Sequence, residues 1–189
     1  MAGTARVTPL GPPDYRVPVP SDFPSAVVAE DGVTLRLARD SDAELISAWT
    51  QAPEVHRFWG GRGLTVEEVL IKYTGRRAPA VISYVVCERT MPVGYVQAWR
   101  RPDRCGLDMF LAAEAQGRGI GPRAARALAA ELTASGWTGL TVDPALDNPR
   151  AIAAWAAAGF VATDEVGVDD GRPTRIMELA PRTVDAQRR

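Results

Sequence analysis

The sequence predicts an α+β (mixed α/β) domain, with a central, mostly antiparallel, twisted sheet of about six to seven strands flanked by about four helices. Three observations carry this. The β-rich runs "VISYVVCER", "VGYVQAWRR" and "CGLDMFLA" follow one another with only short turns between them, which is hairpin order rather than parallel alternation. Helical runs with start and stop signals stand on both sides of that block. The 189 residues, 46% hydrophobic and 24% charged, are enough for one well-cored domain and too few for two comfortable ones.

Taken in order, residues 1–30 carry Pro9, Pro12, Pro13, Pro18, Pro20 and Pro24 and read as an extended or partly disordered arm. The domain is expected over 31–180. "VTLRLA", 33–38, alternates apolar and polar as a first strand. "DSDAELISAWTQAP" reads as a helix capped by Asp40 or Ser41 and closing before Pro53. In "TVEEVLIKYTGRR", Thr65 stands three residues ahead of Glu68, the spacing of a capping box, so a second helix opens there.

The hairpin block follows, with "TMP" as its first turn. "PRAARALAAELTASGW" is a strong helix pattern with proline in its first turn and Gly136 near its end. "GLTVDPA" is a short buried strand stopped by Pro144. "PRAIAAWAAAGF" is a fourth helix, opened by Pro149 and closed by Gly159. Two strands around an Asp170-Gly171 turn complete the domain, and the polar residues 181–189 read as a frayed tail.

Bulk properties narrow the function. A net charge of −1 offers no electrostatic grip on nucleic acid or anionic lipid. No run is long and apolar enough to span a membrane, and the first residues lack the apolar middle of a secretory signal. Cys87 and Cys105 form no disulfide framework or metal motif, so a cytoplasmic protein with reduced thiols is expected. His56 is the only histidine, which excludes a histidine-rich zinc site; no metal is expected. His56 itself reads as structural or as a pocket-rim residue.

"AQGRGIG", 115–121, places three glycines in five positions between a strand and a helix. Such a turn suits a phosphate: the helix N-terminus offers unpaired N–H groups, and glycines let a ligand reach the main chain. A P-loop would need Gly-Lys-Ser/Thr, whereas Pro122 and Arg123 follow Gly121. A dinucleotide fold would need a different glycine spacing at the start of a parallel chain. A ligand-free loop and a coenzyme A pyrophosphate site remain.

Gln116-Gly117-Arg118-Gly119-Ile120-Gly121 resembles the Gln/Arg-x-x-Gly-x-Gly/Ala signature of the GNAT N-acetyltransferases. "DNPRAIAAWAAAGF", 147–160, is similar to that family's Asn-x-x-Ala-x-x-x-Tyr-x-x-x-Gly-Phe segment, and "GLDMFLA" to the strand before its loop. The likeness runs from about Val33 to Leu179. Within the superfamily, "VHRFWGG", "TVEEVLIKY", "VGYVQAW", "GLDMFL" and "VDPALDNPRAI" most resemble the aminoglycoside 6′-N-acetyltransferases. The loop between Trp99 and Gly106 is shorter than in that group.

The resemblance implies the GNAT fold, acetyl-CoA as co-substrate and an aminoglycoside as acceptor, in a monomer or homodimer. It places a general base at Asp108; a surface or capping aspartate is the other reading of that residue. Cofactor contacts are implied at Gln116, Gly117, Arg118, Gly119, Ile120, Gly121, Pro122, Arg123, Asn148, Ala151 and Trp155. Met109, Phe110 and Leu111 would add main-chain contacts and, if the strand is bulged, donors for the oxyanion. Acceptor contacts are implied at Asp108, Asp143 and Asp147, and more weakly at Trp59, Glu68 and Tyr73. Asp147 could equally cap the helix beginning near Pro149.

Trp155 stands where many relatives have a tyrosine that protonates the departing thiolate, and an indole does not act as an acid near neutral pH. The thiolate then leaves unassisted or takes a proton from water, or Tyr73 or Tyr84 reaches in; helix-face packing is the other reading of Trp155. Alternative acceptors are a kasugamycin-type aminoglycoside, a siderophore hydroxylamine and a protein amine. A non-catalytic acyl-CoA sensor is the alternative from another class.

Overall fold

The computed structural model of the chain describes residues 23–181. Its elements are β1 (Ala26–Val28), β2 (Val33–Leu37), α1 (Ala43–Thr50), α2 (Pro53–His56), α3 (Val66–Lys72), β3 (Val81–Glu88), β4 (Met91–Arg100), β5 (Cys105–Leu111), α4 (Ile120–Ala134), β6 (Leu140–Val142), α5 (Pro149–Ala157), β7 (Phe160–Asp169) and β8 (Arg172–Leu179). One eight-stranded sheet runs β1-β2-β3-β4-β5-β6-β8-β7. All neighbours are antiparallel except β5 and β6.

The class is as the sequence predicts, with one strand and one helix more than the expected counts. The added strand, β1, lies within the stretch read as an arm and pairs with β2. Just ahead of it, Phe23 is buried and meets Trp137 edge-on at 5.0 Å. The expectations for residues 1–22 and 182–189 lie outside the described residues. The added helix is α2: Pro53 opens it instead of only closing the helix before it, because proline's fixed φ and missing N–H suit a first helical position.

Local chemistry accounts for the ends. At α3 the Glu68 N–H donates to Thr65 Oγ1 at 3.2 Å and the Thr65 N–H donates to Glu68 Oε2 at 2.9 Å, the capping box the spacing predicts. The β7–β8 turn is Asp170-Gly171 as expected, both residues at positive φ. Two expectations are corrected. Neither Asp40 nor Ser41 caps α1: the approach is a 3-10 turn, Asp40–Asp42, in which the Asp42 carboxylate accepts from the Arg39 N–H and pairs with both terminal nitrogens of Arg36. The β3–β4 turn is Arg89-Thr90 rather than "TMP", since Met91 already pairs with Glu88.

The core lies on both faces of the sheet. The inner stripe of α4 (Ile120, Ala124, Ala125, Leu128, Leu132) is fully buried at helical spacing against one face. Helices α1 and α3 cover the other, through Ile46, Trp49 and Val69. No helix among the described residues is long and apolar enough to cross a membrane.

One break in the sheet positions everything that follows. Strand β5 pairs with β4 along its whole length, from Cys105 to Leu111. With β6 it pairs only at Cys105↔Leu140 and Gly106↔Thr141. Beyond Gly106 the two parallel strands part, so the edge of β5 from Leu107 onward has no strand beside it.

Candidate functional site

The parity of the strand decides what points into that gap. The Ala112 N–H donates to Val93 O at 3.0 Å, toward the β4 side. Main-chain groups alternate along a strand, so Asp108 and Phe110 also turn theirs to β4, while Met109 and Leu111 turn theirs to the gap. The register between β4 and β5 is unbroken through Val96↔Met109 and Gly94↔Leu111. The strand is therefore not bulged at 109–111, and main-chain donors become available because the sheet splits.

Side chains alternate too. Met109 and Leu111 lie on the α4 side. A Cβ added at Gly121 would come within 3.2 Å of Met109 Cε and 3.7 Å of Leu111 Cδ1. Gly121 is thus the close contact between helix and strand. Gly117 and Gly119 answer a different need: their φ values of +75° and +73° are left-handed, which glycine adopts without strain, and Gly119 directly precedes α4. The loop is held by Gln116, whose Nε2 donates to Leu111 O at 3.0 Å.

The two arginines of this loop are engaged. Arg123 donates from Nε to Gly119 O (3.0 Å), from Nη2 to Arg118 O (3.1 Å) and from Nη1 to Asp31 (2.8 Å), so it shapes the loop from beneath. Arg118 Nη2 lies between both oxygens of Glu88, at 3.0 and 2.7 Å, and its side chain is half exposed. Ile120 is fully buried, and Pro122 lies in the first turn of α4.

On the opposite face Asp108 and Phe110 meet an aromatic wall. Phe110 lies 4.8 Å from Trp59 and stacks on Tyr95 at 5.6 Å; Tyr73 packs against Trp59 at 5.9 Å and Tyr95 at 5.2 Å. The Trp59 Nε1 is buried with no hydrogen-bond partner. Asp108, partly buried beside this wall, accepts from Gln97 Nε2 at 2.6 Å. Burial pushes its carboxyl up, against the hydrogen bond from Gln97, and Asp169 adds to the rise while Arg77 opposes it.

Asp143 follows β6 directly, across the gap. Its carboxyl is pushed up to about 6, first by desolvation and then by the charges of Asp108 and Asp169. The residue is exposed, so water tempers the desolvation and the crowding by neighbouring acids matters alongside it. Three carboxylates thus share one region. Among the described residues no group of three or more His, Cys, Asp or Glu is arranged to hold a metal ion. Such an arrangement suits a ligand with separated positive charges.

Other expected residues fall elsewhere. Glu68 is committed to its capping box and to a close pair with Arg62, which holds its carboxyl down at about 2. Asp147 lies between Arg57 (3.7 Å) and Arg172 (3.8 Å), and Arg172 Nη1 donates to Arg57 O, tying the β7–β8 tip to the end of α2. It does not cap α5: Asn148 does, accepting from the Ala151 N–H at 3.2 Å. Trp155 is buried edge-on against Phe160 at 5.4 Å, a packing role.

Of the two spare tyrosines, Tyr84 lies on the wrong face. It pairs with Val96, next to the Gln97 row, and its hydroxyl donates to Pro24 O. Tyr73 is on the Asp108 face, and burial raises its phenol. His56 stands at the end of α2 with a buried Nδ1 lacking a partner.

Residues missed at the sequence level are Ser83, Tyr95, Gln97 and Asp169. The first three join in a row: Ser83 Oγ and Tyr95 Oη lie 2.8 Å apart, and the Tyr95 hydroxyl donates to Gln97 Oε1 at 3.1 Å. A glutamine inside the otherwise apolar run "VGYVQAW" was the available signal.

Comparison with known proteins places this geometry. Residues 38–168 match the family model described as acetyltransferase (GNAT) domain. The structure is similar to that of AAC(6′)-Ib in complex with paromomycin and acetyl-CoA, with a TM-score of 0.74 and 26% identity, covering 84% of this chain and 99% of that one. A structure of AAC(6′)-Ib with coenzyme A and kanamycin gives a TM-score of 0.69 at 26% identity, over 77% and 93% of the two chains. RimL, a ribosomal-protein N-acetyltransferase in complex with coenzyme A, shares the fold at 14% identity and a TM-score of 0.69, over 81% and 96%.

Proposed function

The chain belongs to the GNAT acetyltransferases, and from that premise we propose that it transfers acetyl from acetyl-CoA to an amine of an aminoglycoside, the 6′-amine favoured, with Asp108 as general base. The observation that carries the acceptor assignment is the shared region of Asp108, Asp143 and Asp169 beside an aromatic wall. A polycationic sugar matches both: its ammonium groups meet the carboxylates, and its ring faces meet Trp59 and Tyr73. Similarity to aminoglycoside-bound structures at 26% identity supports the same reading. Aminoglycoside resistance is the consequence in a cell, and a cytoplasmic location fits a substrate-modifying enzyme of this kind.

The chain's features fit the co-substrate. The strand-free edge at Met109, with the N–H of Leu111, offers main-chain partners to an extended amide-bearing arm, as a strand would. The left-handed glycines and the first N–H groups of α4 suit a pyrophosphate. Acetyl-CoA supplies a thioester, activated for attack by an amine.

Asp108 takes the proton of the acceptor ammonium, which frees a lone pair. The Met109 N–H, fixed in direction by the strand, donates to the oxygen that gains charge. Asp143 and Asp169 hold the other ammonium groups. Tyr73 is a poor acid for a leaving thiolate, because burial raises its phenol while an ordinary thiol titrates near about 8.5. The freed amine attacks the thioester carbon, and the tetrahedral adduct collapses with cleavage of the C–S bond. The electron pair leaves on sulfur without a side-chain acid, and the proton shed by the new amide nitrogen passes to the thiolate or to water.

The test is thiol release by the full chain with acetyl-CoA and a panel of aminoglycosides, with NMR assignment of the acetylated nitrogen. Release with a product acetylated on a 6′-amine supports the assignment. Coenzyme A binding without release on any amine would favour the sensor reading.

A further inference from the structure

We propose that Gln97, oriented by Tyr95 and Ser83, is a positioning residue that keeps the Asp108 carboxylate ionised and fixed on the aromatic face of the sheet. The inference rests on Asp108 being the base for its kinetic consequence, though its structural content does not. Register places the three strands' contributions in one cross-strand row: Ser83 opposite Gln97, and Gln97 opposite Asp108. Tyr95, two residues before Gln97, shares its face. Ser83, Tyr95 and Gln97 are all buried, so each polar atom must find its partner inside the protein.

The proton count orients the chain. The Tyr95 hydroxyl has one proton and donates it to Gln97 Oε1. The Ser83 hydroxyl must therefore donate to Tyr95 Oη, across 2.8 Å. With its oxygen so engaged, the Gln97 amide can turn only its Nε2 toward Asp108, at 2.6 Å. An N–H aimed at a carboxyl favours the carboxylate; a carbonyl there would favour the protonated acid. In this arrangement Tyr95 holds the amide at its oxygen and Ser83 holds Tyr95, so the donor edge of Gln97 is left to Asp108.

This matters because the other surroundings of Asp108 disfavour ionisation. The groups acting on it are Gln97 and Trp99 of β4, Asp169 at the end of β7, and Arg77 ahead of β3. Asp143 after β6, Tyr73 after α3 and Tyr95 of β4 also feel its charge. Two of these are acids and only Arg77 is a cation. Burial and Asp169 raise the carboxyl, and Gln97 is the foremost group opposing them.

The test is a pH titration of the Asp108 side-chain carbon by ¹³C NMR in the full chain, for wild type, Gln97→Met and Tyr95→Phe, with kcat/KM followed over the same pH range. Gln97→Met keeps length and apolar bulk but removes the donor. Its Asp108 midpoint should rise by about one pH unit, the scale of one hydrogen bond to a charged group. The acidic limb of kcat/KM should rise with it, with turnover recovering at high pH and coenzyme A affinity unchanged. Tyr95→Phe should shift both in the same direction by less, because the amide then loses its orienting partner.

A folded Gln97→Met with the wild-type midpoint overturns the proposal; if that variant fails to fold, an unshifted midpoint in Tyr95→Phe does so. Asp108→Asn separates the two readings. Wild-type turnover in that variant removes the base assignment, while the NMR midpoints still judge Gln97. A moved midpoint with an unmoved kinetic limb has the same meaning.

Discussion

Asp143→Asn, read across pH, probes acceptor binding through a group whose midpoint is unusual. Desolvation and the neighbouring acids push the Asp143 carboxyl up to about 6. For a ligand that needs the ionised form, affinity follows the ionised fraction, about ten-elevenths at pH 7 and about one-eleventh at pH 5. Aminoglycoside binding to the wild type should therefore weaken severalfold between those pH values from this group alone, with about tenfold as the limit in which the neutral form contributes nothing. A carboxyl at the ordinary value near 3.9 would lose less than about a tenth of its charge over the same range.

At pH 7 the variant loses one ion pair at a site still partly open to water. Such a pair contributes about 1–2 kcal/mol, so kanamycin should bind about 5- to 30-fold more weakly while coenzyme A affinity stays the same. The assay is isothermal titration calorimetry with kanamycin at pH 5, 6 and 7, with a salt series at pH 7, where screening should weaken the wild type more than the variant. Identical pH dependence in wild type and variant would show that Asp143 does not titrate against the ligand. Equal affinity at pH 7 would remove it from the acceptor site.

Two further expectations concern residues whose role the structure relocates. Gly121→Val should lower Tm, because its Cβ alone would meet Met109 Cε at 3.2 Å and overpacking of this kind costs about 1–3 kcal/mol; coenzyme A affinity falls as the start of α4 is displaced, and an unchanged Tm would mean that helix and strand are not in close contact there. Trp155→Phe should cost about 1–2 kcal/mol by chemical denaturation as buried contacts with Phe160 are lost, yet keep wild-type turnover per folded molecule; a large fall in kcat without a fall in stability would give Trp155 a part in the chemistry.

The local chemistry of the chain carried much of this in plain view. The capping box at Thr65, the Asp170-Gly171 turn and the hairpin run through β3, β4 and β5 are local signals, and local signals survive into the fold. Asp108 lies on the strand that feeds the glycine loop and Asp143 just past a short buried strand, both readable as positions in the sequence. The partners of Glu68 and Asp147 were not legible, because they are tertiary facts: Arg62, Arg57 and Arg172 reach them from other segments. That Arg123 also braces the loop's own carbonyls was likewise hidden, since those bonds depend on the turn of the loop. Gln97 was overlooked because its meaning depends on register, on which residues oppose it on the strands to either side, and no short-range pattern reports that.

The central claim is tested most directly by Asp108→Asn, assayed for thiol release with acetyl-CoA and kanamycin at pH 7 and pH 9. The amide keeps the shape of the side chain but neither takes a proton nor attracts an ammonium. Turnover at pH 7 should fall by about 10²-fold or more, the usual scale for loss of a general base. Part of that loss should return at pH 9, where more of the acceptor amine is already neutral, and coenzyme A affinity should stay near wild type. Wild-type turnover at pH 7 in the folded variant would contradict the account and leave the deprotonation to water, to Asp143 or to the amine itself.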